Sequence, residues 1–345
     1  MAGKTHRIGP NLIETARVFA SEQTCHDYLE AARWPDGVRC LKCDHDKVSK
    51  FTLKGKMKTY ADGTTKPTPD RFLYQCLKCN YQFAATTGTI FSDTHLPLSK
   101  WMLAVAIMCN AKKSVSAKQM ERDMGVSYKT AWYLNHRIRE AMGIVGSGDD
   151  SQLTGTIEID ETYVGGRYDK RRKRDRFDKE PVFGMIERDG KARTYHMRPV
   201  TMRNVVEKIK DNVSISADAI YTDESTLYGT TAGCIKSHKH ESVNHNNKEW
   251  VRGEVHTGTI DGYWGLLKRG IIGSFHQVSI KHLQRYLDEF QFKWNHRAAH
   301  DIFAQIVVAL VIGSALRYKT LTRPQASDDS ASENQVEPRV SDEPF

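Results

Sequence analysis

The clearest pattern of apolar and polar positions lies near the C-terminal end, in residues 256–270. Its apolar positions recur at i, i+4 and i+7, which predicts a helix with one buried face. These positions are Ile260, Trp264 and Leu267. Asp261 and Lys268 fall on another face, about 10 Å apart along the helix axis. The pair suits a metal ligand beside a phosphate contact, although taken alone it fits an ordinary solvated face better.

The rest of the second half alternates between strand-like and helix-like patterns. Residues 156–164 alternate with period two, so that Glu158, Asp160 and Thr162 share one face of a predicted strand. Further strands are predicted over 181–188, 192–197 and 219–223, and helices over 202–211, 279–297 and 302–316. This order predicts a mixed sheet flanked by helices, as in an RNase H-like fold.

The first half contains a helix-turn-helix pattern. One helix is predicted over 117–124, and a second begins at Ser127 after a turn at Gly125. Polar residues at the start of the second helix suit contacts with DNA. Residues 95–145 contain eight Lys and Arg against three Asp and Glu, which favours a DNA-binding region. An ordinary helical hairpin would show much the same pattern.

Four of the seven cysteines form two C-x-x-C pairs, Cys40 with Cys43 and Cys76 with Cys79. Each pair lets two thiolates converge on one ion, and the two pairs together complete a tetrahedral set for Zn²⁺. The pairs follow strand-like segments at 37–39 and 72–75, and the polar insert between them predicts an extended hairpin. We therefore expect a zinc ribbon with a structural ion. The alternative is four free thiols or a redox pair.

The chain is basic, with 51 Lys and Arg against 42 Asp and Glu and a formal charge of +9. Residues 323–345 carry six acids and two bases, so the remaining residues carry +13. This balance favours a polyanionic partner, most often nucleic acid. The basic loop 166–179 predicts either phosphate contacts or a merely solvated loop. For the His-rich run 238–247, polar or nucleic-acid contacts are favoured over metal binding.

The cysteine count, the N-terminus and the most apolar run predict the cellular compartment. An odd number of cysteines and an N-terminus without a secretory signal favour a reducing compartment. The most apolar run, 302–316, is shorter than the ~20 residues that span a bilayer and predicts a buried helix. We therefore expect a soluble, cytoplasmic, nucleoid-associated protein.

Together these patterns predict a multi-domain α+β protein. The expected parts are an N-terminal helical segment (1–36), a zinc ribbon (37–93), a helix-turn-helix DNA-binding region (94–145), a linker (146–155), an RNase H-like α/β catalytic domain (156–321) and a disordered acidic tail (322–345).

Three acids stand at distinctive places in the predicted second half. Asp160 lies on the first strand, Asp223 ends the fourth strand, and Asp261 lies on a late helix. Phosphodiester chemistry needs oxygen ligands that hold two hard cations a few ångströms apart. Isolated acids are more often surface residues, so the neighbouring pairs Asp160-Glu161 and Asp223-Glu224 add only a modest signal.

The sequence resembles bacterial insertion-sequence transposases of the DDE type with an N-terminal zinc ribbon, the insertion-sequence family fifteen ninety-five. The matching pieces include RWPDGVRCLKC, CNYQFAATTGTIF, HLPLSKW, GVSYKTAWYLNHRIR, IDETYVGG, TDES, VHTGTIDGYWGLLKRGI and HLQRYLDEFQFKWNHR. The resemblance implies a zinc ribbon, a helix-turn-helix that helps read terminal inverted repeats, and an RNase H-like nuclease domain.

The resemblance also implies the site residues and partners. Asp160, Asp223 and Asp261 would hold two Mg²⁺ ions, or Mn²⁺, and Lys268 would position a phosphate. Cys40, Cys43, Cys76 and Cys79 would hold Zn²⁺. The partners would be double-stranded DNA at the element ends and at the target, within a homodimer or larger assembly.

Two positions depart from the family pattern. Gly258 stands where Asn is usual and Asp261 where Glu is usual. Asp is one methylene shorter, so its oxygens fall short by up to roughly 1.5 Å unless the backbone shifts. The sequence thus predicts an active transposase, with two alternatives. One is a catalytically impaired or co-opted relative that only binds DNA, and the other is a different RNase H-like nuclease such as a junction resolvase.

Overall fold

A computed structural model describes residues 11–59, 61–148, 150–165, 179–223, 239–243, 251–299 and 301–323. Among these residues, those up to Ala315 form one compact unit, and those from Leu316 to Arg323 belong to a second, which contains the short helix Tyr318–Thr322. The predictions for the basic loop, for the acidic tail and for most of the His-rich run fall outside the described residues.

The N-terminal part combines two helices with a small sheet. The helices are α1 (Leu12–Val18) and α2 (Glu22–Arg33), and the sheet has the order β1 (Val48–Leu53), β4 (Arg71–Cys76), β5 (Gln82–Phe83). The predicted hairpin insert is present, because β1 pairs antiparallel with β4 and the insert carries a second pair, β2 (Met57–Thr59) and β3 (Thr65–Pro67).

The strand predicted over 37–39 is wrong. The chain leaves α2 through Gly37, whose φ is +101°, and goes directly into the turn that carries the first cysteine pair. The strand that pairs with β4 is β1, which follows that turn instead of preceding it.

Three helices follow the small sheet: α3 (Leu98–Asn110), α4 (Ala117–Met124) and α5 (Tyr128–Ser147). Gly125 ends α4 with a left-handed φ of +57°, a conformation that costs glycine little. The Ser127 hydroxyl then caps α5 by accepting a hydrogen bond from the Thr130 amide at 3.2 Å. The predicted helix, turn and helix are therefore all present, and α5 continues to Ser147, past the predicted start of the linker.

The second half is built on a five-stranded mixed sheet in the order β10-β9-β6-β7-β8. The strands are β6 (Thr156–Val164), β7 (Glu180–Glu187), β8 (Ala192–His196), β9 (Ala219–Asp223) and β10 (His240–Val243). Strands β6, β7 and β8 are antiparallel neighbours, whereas β9 is parallel to β6. The first four strands were predicted. The fifth was not, because it lies within the polar, His-rich run.

Helices cover both faces of this sheet. One face packs against α6 (Met202–Asn212), and the other against α7 (Gly258–Gly270) and α8 (Leu283–Asn295). Between α7 and α8 the chain forms a π-helical turn, Ile271–Phe275. Since β6 is buried by helices on both sides, side chains on either face of this strand can be held rigidly.

The apolar run near the C-terminus forms α9 (Ile302–Ile312) and is buried, as predicted. Its core residues join the cluster built by α2, α3, α5 and the small sheet, and do not join those around the five-stranded sheet. Across the described ranges, no helix has both the length and the apolar character needed to cross a bilayer.

Candidate metal centres and active site

The register of the central strands brings two of the predicted acids together. In the parallel pair β6 and β9, Ile159 lies opposite Thr222, and the next residue on each strand is Asp160 and Asp223. Both acids therefore stand at the carboxyl end of the pair. This edge is where ligands bind in open α/β sheets.

A third carboxylate completes the closest acidic group. Asp160, Glu161 and Asp223 each place a carboxylate oxygen within 4.8 Å of the other two. Glu161 was predicted to lie on the opposite face of β6 from Asp160, so its presence was missed. The sequence signal was the adjacent pair Asp160-Glu161, which lies in the middle of β6. An oxygen-only group of this kind fits Mg²⁺ or Mn²⁺.

Asp261 does not belong to that group of three, but it is close enough to act on it. It lies exposed in the first turn of α7, and its charge contributes to raising the pKa of Asp160. The Thr257 hydroxyl donates a hydrogen bond to the Asp261 carboxylate at 3.3 Å. The three predicted acids therefore share one electrostatic environment, with Asp261 at its edge.

Trp264 ties α7 to the strand that carries Asp160. Its indole N–H donates a hydrogen bond to the Asp160 carboxylate at 2.9 Å. The ring fits because Gly184 lies opposite Asp160 on β7. A Cβ at Gly184 would lie 2.5 Å from the Trp264 ring, far inside van der Waals contact. Neither Gly184 nor this role of Trp264 was predicted, since the pattern marked Trp264 only as a core residue.

The Asp160 carboxyl group has a strongly perturbed pKa. Burial, together with the nearby charges of Asp223 and Asp261, raises it to about 7, although the Trp264 hydrogen bond acts in the opposite direction. Carboxylates held this close repel one another in the absence of a cation. A bound cation removes that repulsion, so the arrangement suits a metal site.

A buried ion pair lies behind the acids. Glu158, on β6, is fully buried and accepts a hydrogen bond from Arg188 Nε at 2.8 Å. The same carboxylate accepts hydrogen bonds from the amides of Thr259 and Ile260 at 2.8 and 3.0 Å. Glu158 was predicted to share a face with Asp160, but its contact with α7 was not predicted.

Lys268 lies exposed two turns after Asp261, as predicted. It lines an open cavity of about 500 Å³ together with Tyr163, Lys179, Ile272 and His276. This cavity adjoins the end of β6, the strand that carries Asp160. Cationic, aromatic and apolar side chains here form a surface suited to a nucleic-acid backbone and its bases.

The four cysteines converge as predicted. Cys40 Sγ lies 3.6 Å from Cys79 Sγ, and Cys43 Sγ lies 3.6 Å from Cys76 Sγ and 3.5 Å from Cys79 Sγ. Four sulfurs around Zn²⁺ at 2.3 Å would be ~3.8 Å apart, close to these separations. The donor set therefore fits a tetrahedral zinc ion.

Backbone amides prepare two of these thiols, Cys76 and Cys40, for a cation. In Cys43 the hydrogen bond from the His45 amide lowers the pKa, but burial and hydrogen bonds with the other three thiols outweigh it and raise the pKa to about 12. Burial raises the pKa of Cys76, but hydrogen bonds from the amides of Cys79 and Lys78 and from neighbouring thiols outweigh it and lower the pKa to about 6. Cys40 likewise has a lowered pKa, because the amides of Lys42 and Cys43 outweigh its desolvation. Thiolates are the form that binds zinc.

The start of α5 presents the residues that the helix-turn-helix prediction singled out. Tyr128 is 46% exposed and Lys129 is exposed, whereas His136, Arg137 and Arg139 farther along are buried. Arg139 forms a buried ion pair with Glu289 of α8. The first turn of α5 is therefore exposed, whereas the middle of the helix packs largely inside the protein.

Comparisons with known proteins agree with these two centres. An ISXO2-like transposase domain matches residues 152–295, which contain the acids, and a transposase zinc-ribbon domain matches residues 20–82, which contain the cysteines. A protein of Halobacterium salinarum named "Uncharacterized protein in transposable element ISH50" is 28% identical over 295 residues, 80% of this chain and 92% of that protein. Both matched domains are those of IS1595-type transposases, so the chain carries the DDE transposase domain and the zinc-ribbon domain of this family.

Proposed function

We propose that this protein binds the terminal inverted repeats of an insertion sequence, cuts the DNA at the element end and joins the freed end to target DNA. The observation that carries the proposal is the convergence of Asp160 and Asp223 at one strand edge, with Asp261 on the helix packed against it. The five-stranded mixed sheet flanked by helices, as expected of an RNase H-like domain, and the matched transposase domain both support it.

Two divalent cations, Mg²⁺ or Mn²⁺, would be held by Asp160, Asp223 and Asp261, and Glu161 is close enough to contribute. When bound, the cations activate the attacking oxygen and stabilise the leaving oxygen. Asp160 must be deprotonated to act as a ligand, and the Trp264 hydrogen bond favours that state. Lys268 would hold a phosphate beside the site, and its place at the rim of the open cavity suits this role.

DNA cleavage and strand transfer would occur as two reactions at the same carboxylates. In the first, water attacks a phosphodiester and leaves a 3′-hydroxyl at the element end. In the second, that hydroxyl attacks a phosphodiester of the target, so one bond forms as another breaks. The protein's own residues would place the scissile phosphate against the carboxylates. They would also hold the DNA so that the attacking oxygen lies in line with the phosphorus and the leaving oxygen.

The remaining parts would bind DNA and support the fold. Zn²⁺ on the four cysteines would stabilise the N-terminal sheet, and the exposed first turn of α5 would contact the element end. The charge of +13 on residues 1–322 supports a binding energy dominated by phosphate contacts and therefore sensitive to salt. Joining two ends to one target calls for a homodimer or a larger assembly.

A strand-cleavage assay tests the proposal. Purified protein and a labelled duplex carrying the cognate element end would be incubated with Mg²⁺. The wild type should cut the duplex, and Asp160→Asn should lose at least about a hundredfold in rate. Asp218→Asn, an exposed acid just before β9, is the matched control and should cut normally. Normal end binding without cutting by the wild type would point instead to a relative that only binds DNA.

A further inference from the structure

The N-terminus of α7 is capped from outside the helix. Thr257 occupies the N-cap position but makes no side-chain capping hydrogen bond, and its hydroxyl donates to Asp261 instead. The first-turn amides of Thr259 and Ile260 donate to the carboxylate of Glu158, on the neighbouring strand. Amides in the first turn of a helix have no acceptor inside the helix, so the carboxylate supplies the hydrogen-bond acceptor that they lack.

Glu158 uses both of its oxygens in this contact. One oxygen accepts from the amides of Thr259 and Ile260 at 2.8 and 3.0 Å. The other accepts from the Thr259 hydroxyl at 3.0 Å and from Arg188 Nε at 2.8 Å. These four partners are all donors, so an ionised carboxylate fits, whereas an amide side chain would turn its own N–H groups toward donors. His256 Nδ1 also lies 3.4 Å from the oxygen that Arg188 binds.

Arg188 extends the contact to the third acid-bearing element. It follows β7, and its second guanidinium nitrogen donates to the carbonyl of His256, at the entrance to α7, at 3.0 Å. The guanidinium carbon also lies 4.9 Å from the centre of the Tyr221 ring, two residues before Asp223 on β9. Arg188 thus contacts the carboxylate on β6, the backbone before α7 and a ring on β9.

We infer that the Glu158–Arg188 pair consists of positioning residues that fix the spacing of the three acid-bearing elements, β6, β9 and α7. This inference rests on the proposed function, since the acids must hold cations for their spacing to matter. Glu158 lies two residues before Asp160 on the same face of β6, and Ile260, which it binds, immediately precedes Asp261. The contact therefore joins a residue two positions before Asp160 to the residue directly before Asp261.

The shorter acid at 261 makes this spacing more demanding. A carboxylate with one methylene fewer must be brought nearer by its backbone, and an error of about 1 Å at such a site can cost on the order of a hundredfold in rate. The Glu158 carboxylate holds α7 at Ile260, the residue directly before Asp261. It therefore sets the distance between the Asp261 backbone and β6, which the shorter side chain cannot make up.

The test uses the full-length protein with Mn²⁺ as the probe. Glu158→Gln and Arg188→Gln would be compared with Glu180→Gln as the control. Glu180 is also a buried acid of the same sheet, 5% exposed, but its partners are His196 and Arg198. The Arg188 side chain is 19% exposed, so Arg188→Gln should disturb folding less than Glu158→Gln. If Glu158→Gln does not fold, Arg188→Gln tests the inference by itself.

Two readouts separate positioning from ordinary stabilisation. In metal-free protein, amide hydrogen exchange at Thr259 and Ile260 should accelerate at least tenfold in Glu158→Gln and remain unchanged in Glu180→Gln. In an Mn²⁺ titration followed by electron paramagnetic resonance, the midpoint should rise about tenfold or more in both test variants, and not in the control.

The outcomes also separate this inference from the proposed function. Wild-type Mn²⁺ binding with unchanged midpoints in folded Glu158→Gln and Arg188→Gln would overturn the inference alone. An equal shift in Glu180→Gln would also overturn it, because the effect would then be general destabilisation. No Mn²⁺ binding by the wild type would overturn the proposed function and the inference together.

Discussion

The cysteine cluster and the acidic cluster are assembled in opposite ways. Each cysteine pair lies within one turn, so only two pieces of chain must meet to bring four sulfurs together. The acids come from β6, β9 and α7, elements separated by up to about a hundred residues, and meet only when the whole second half has folded. One centre is therefore determined mainly by local spacing, and the other by packing.

The two clusters also differ in what surrounds the ligands. The thiols receive hydrogen bonds from amides of their own turns, those of Lys42, Lys78 and Cys79. The acids depend on side chains from other elements, such as Trp264 and Arg188. A local centre withstands changes elsewhere in the molecule, whereas a packed one should be sensitive to residues that never touch the metal.

The largest effect should follow from removing a zinc ligand. Cys76→Ser should abolish zinc binding and unfold the N-terminal sheet, because structural zinc contributes roughly 10–16 kcal/mol in small zinc domains. The measurement is zinc content with thermal melting followed by circular dichroism. Cys25→Ser, which replaces a buried thiol away from the cluster, should keep its zinc. Full zinc content in Cys76→Ser would contradict the account.

The next effect tests the packed centre through a residue that binds no metal. Gly184→Ala should lower DNA cleavage by about a hundredfold, because its Cβ would displace Trp264 and shift Asp160. The control is Gly262→Ala on α7, where a Cβ meets no atom within 4 Å. Cleavage rates and the zinc content of both variants would be measured. Equal rates in the two variants would show that the Trp264 contact has no part in the site.

Lowering the pH should release Mn²⁺ from the acids before it releases zinc from the cysteines. The pKa of Asp160 is raised to about 7, so protons compete with cations below that value and Mn²⁺ affinity should fall up to about tenfold per pH unit. Above pH 7 the affinity should level off. Zinc should remain bound while Mn²⁺ is lost, because structural zinc sites of this kind bind their ion by roughly 10–16 kcal/mol. Within that site the pKa of Cys76 is lowered to about 6, whereas that of Cys43 is raised to about 12. Calorimetry between pH 5.5 and 8 and zinc analysis would check this order of release.

The smallest effect concerns DNA contact by the exposed turn of α5. Lys129→Ala should weaken binding to the element end severalfold and reduce the slope of log affinity against log salt by about one. Lys210→Ala, an exposed lysine on α6, should leave both unchanged. Fluorescence anisotropy at several salt concentrations would measure both quantities. An unchanged slope in Lys129→Ala would remove α5 from the proposed interface.

Sequence patterns predicted most of the fold because the relevant signals are local. Period-two alternation located β6, and the capping serine with the glycine turn located α4 and α5. The strand expected over 37–39 failed because the chain turns directly into the cysteine pair. Strand β10 was missed because its polar residues, His240 to Val243, gain order from pairing with β9, a contact that local spacing does not encode.

The candidate site was predictable only in part, for the same reason. Asp160, Asp223, Asp261 and Lys268 could be selected by their place on elements and by resemblance. Glu158 and Arg188 could not, since their contacts with each other and with α7 join residues about 30 to 100 positions apart. Gly184 carried no signal, because its role is the space that it leaves for a ring from another element.

The most direct test of the central claim is to locate the cations in crystals of the protein with an element-end duplex and Mn²⁺, by anomalous scattering. We predict manganese held by Asp160, Asp223 and Asp261, and zinc separately among the four cysteines. Manganese absent from these carboxylates, or held by Asp160, Glu161 and Asp223 with Asp261 uninvolved, would contradict the account.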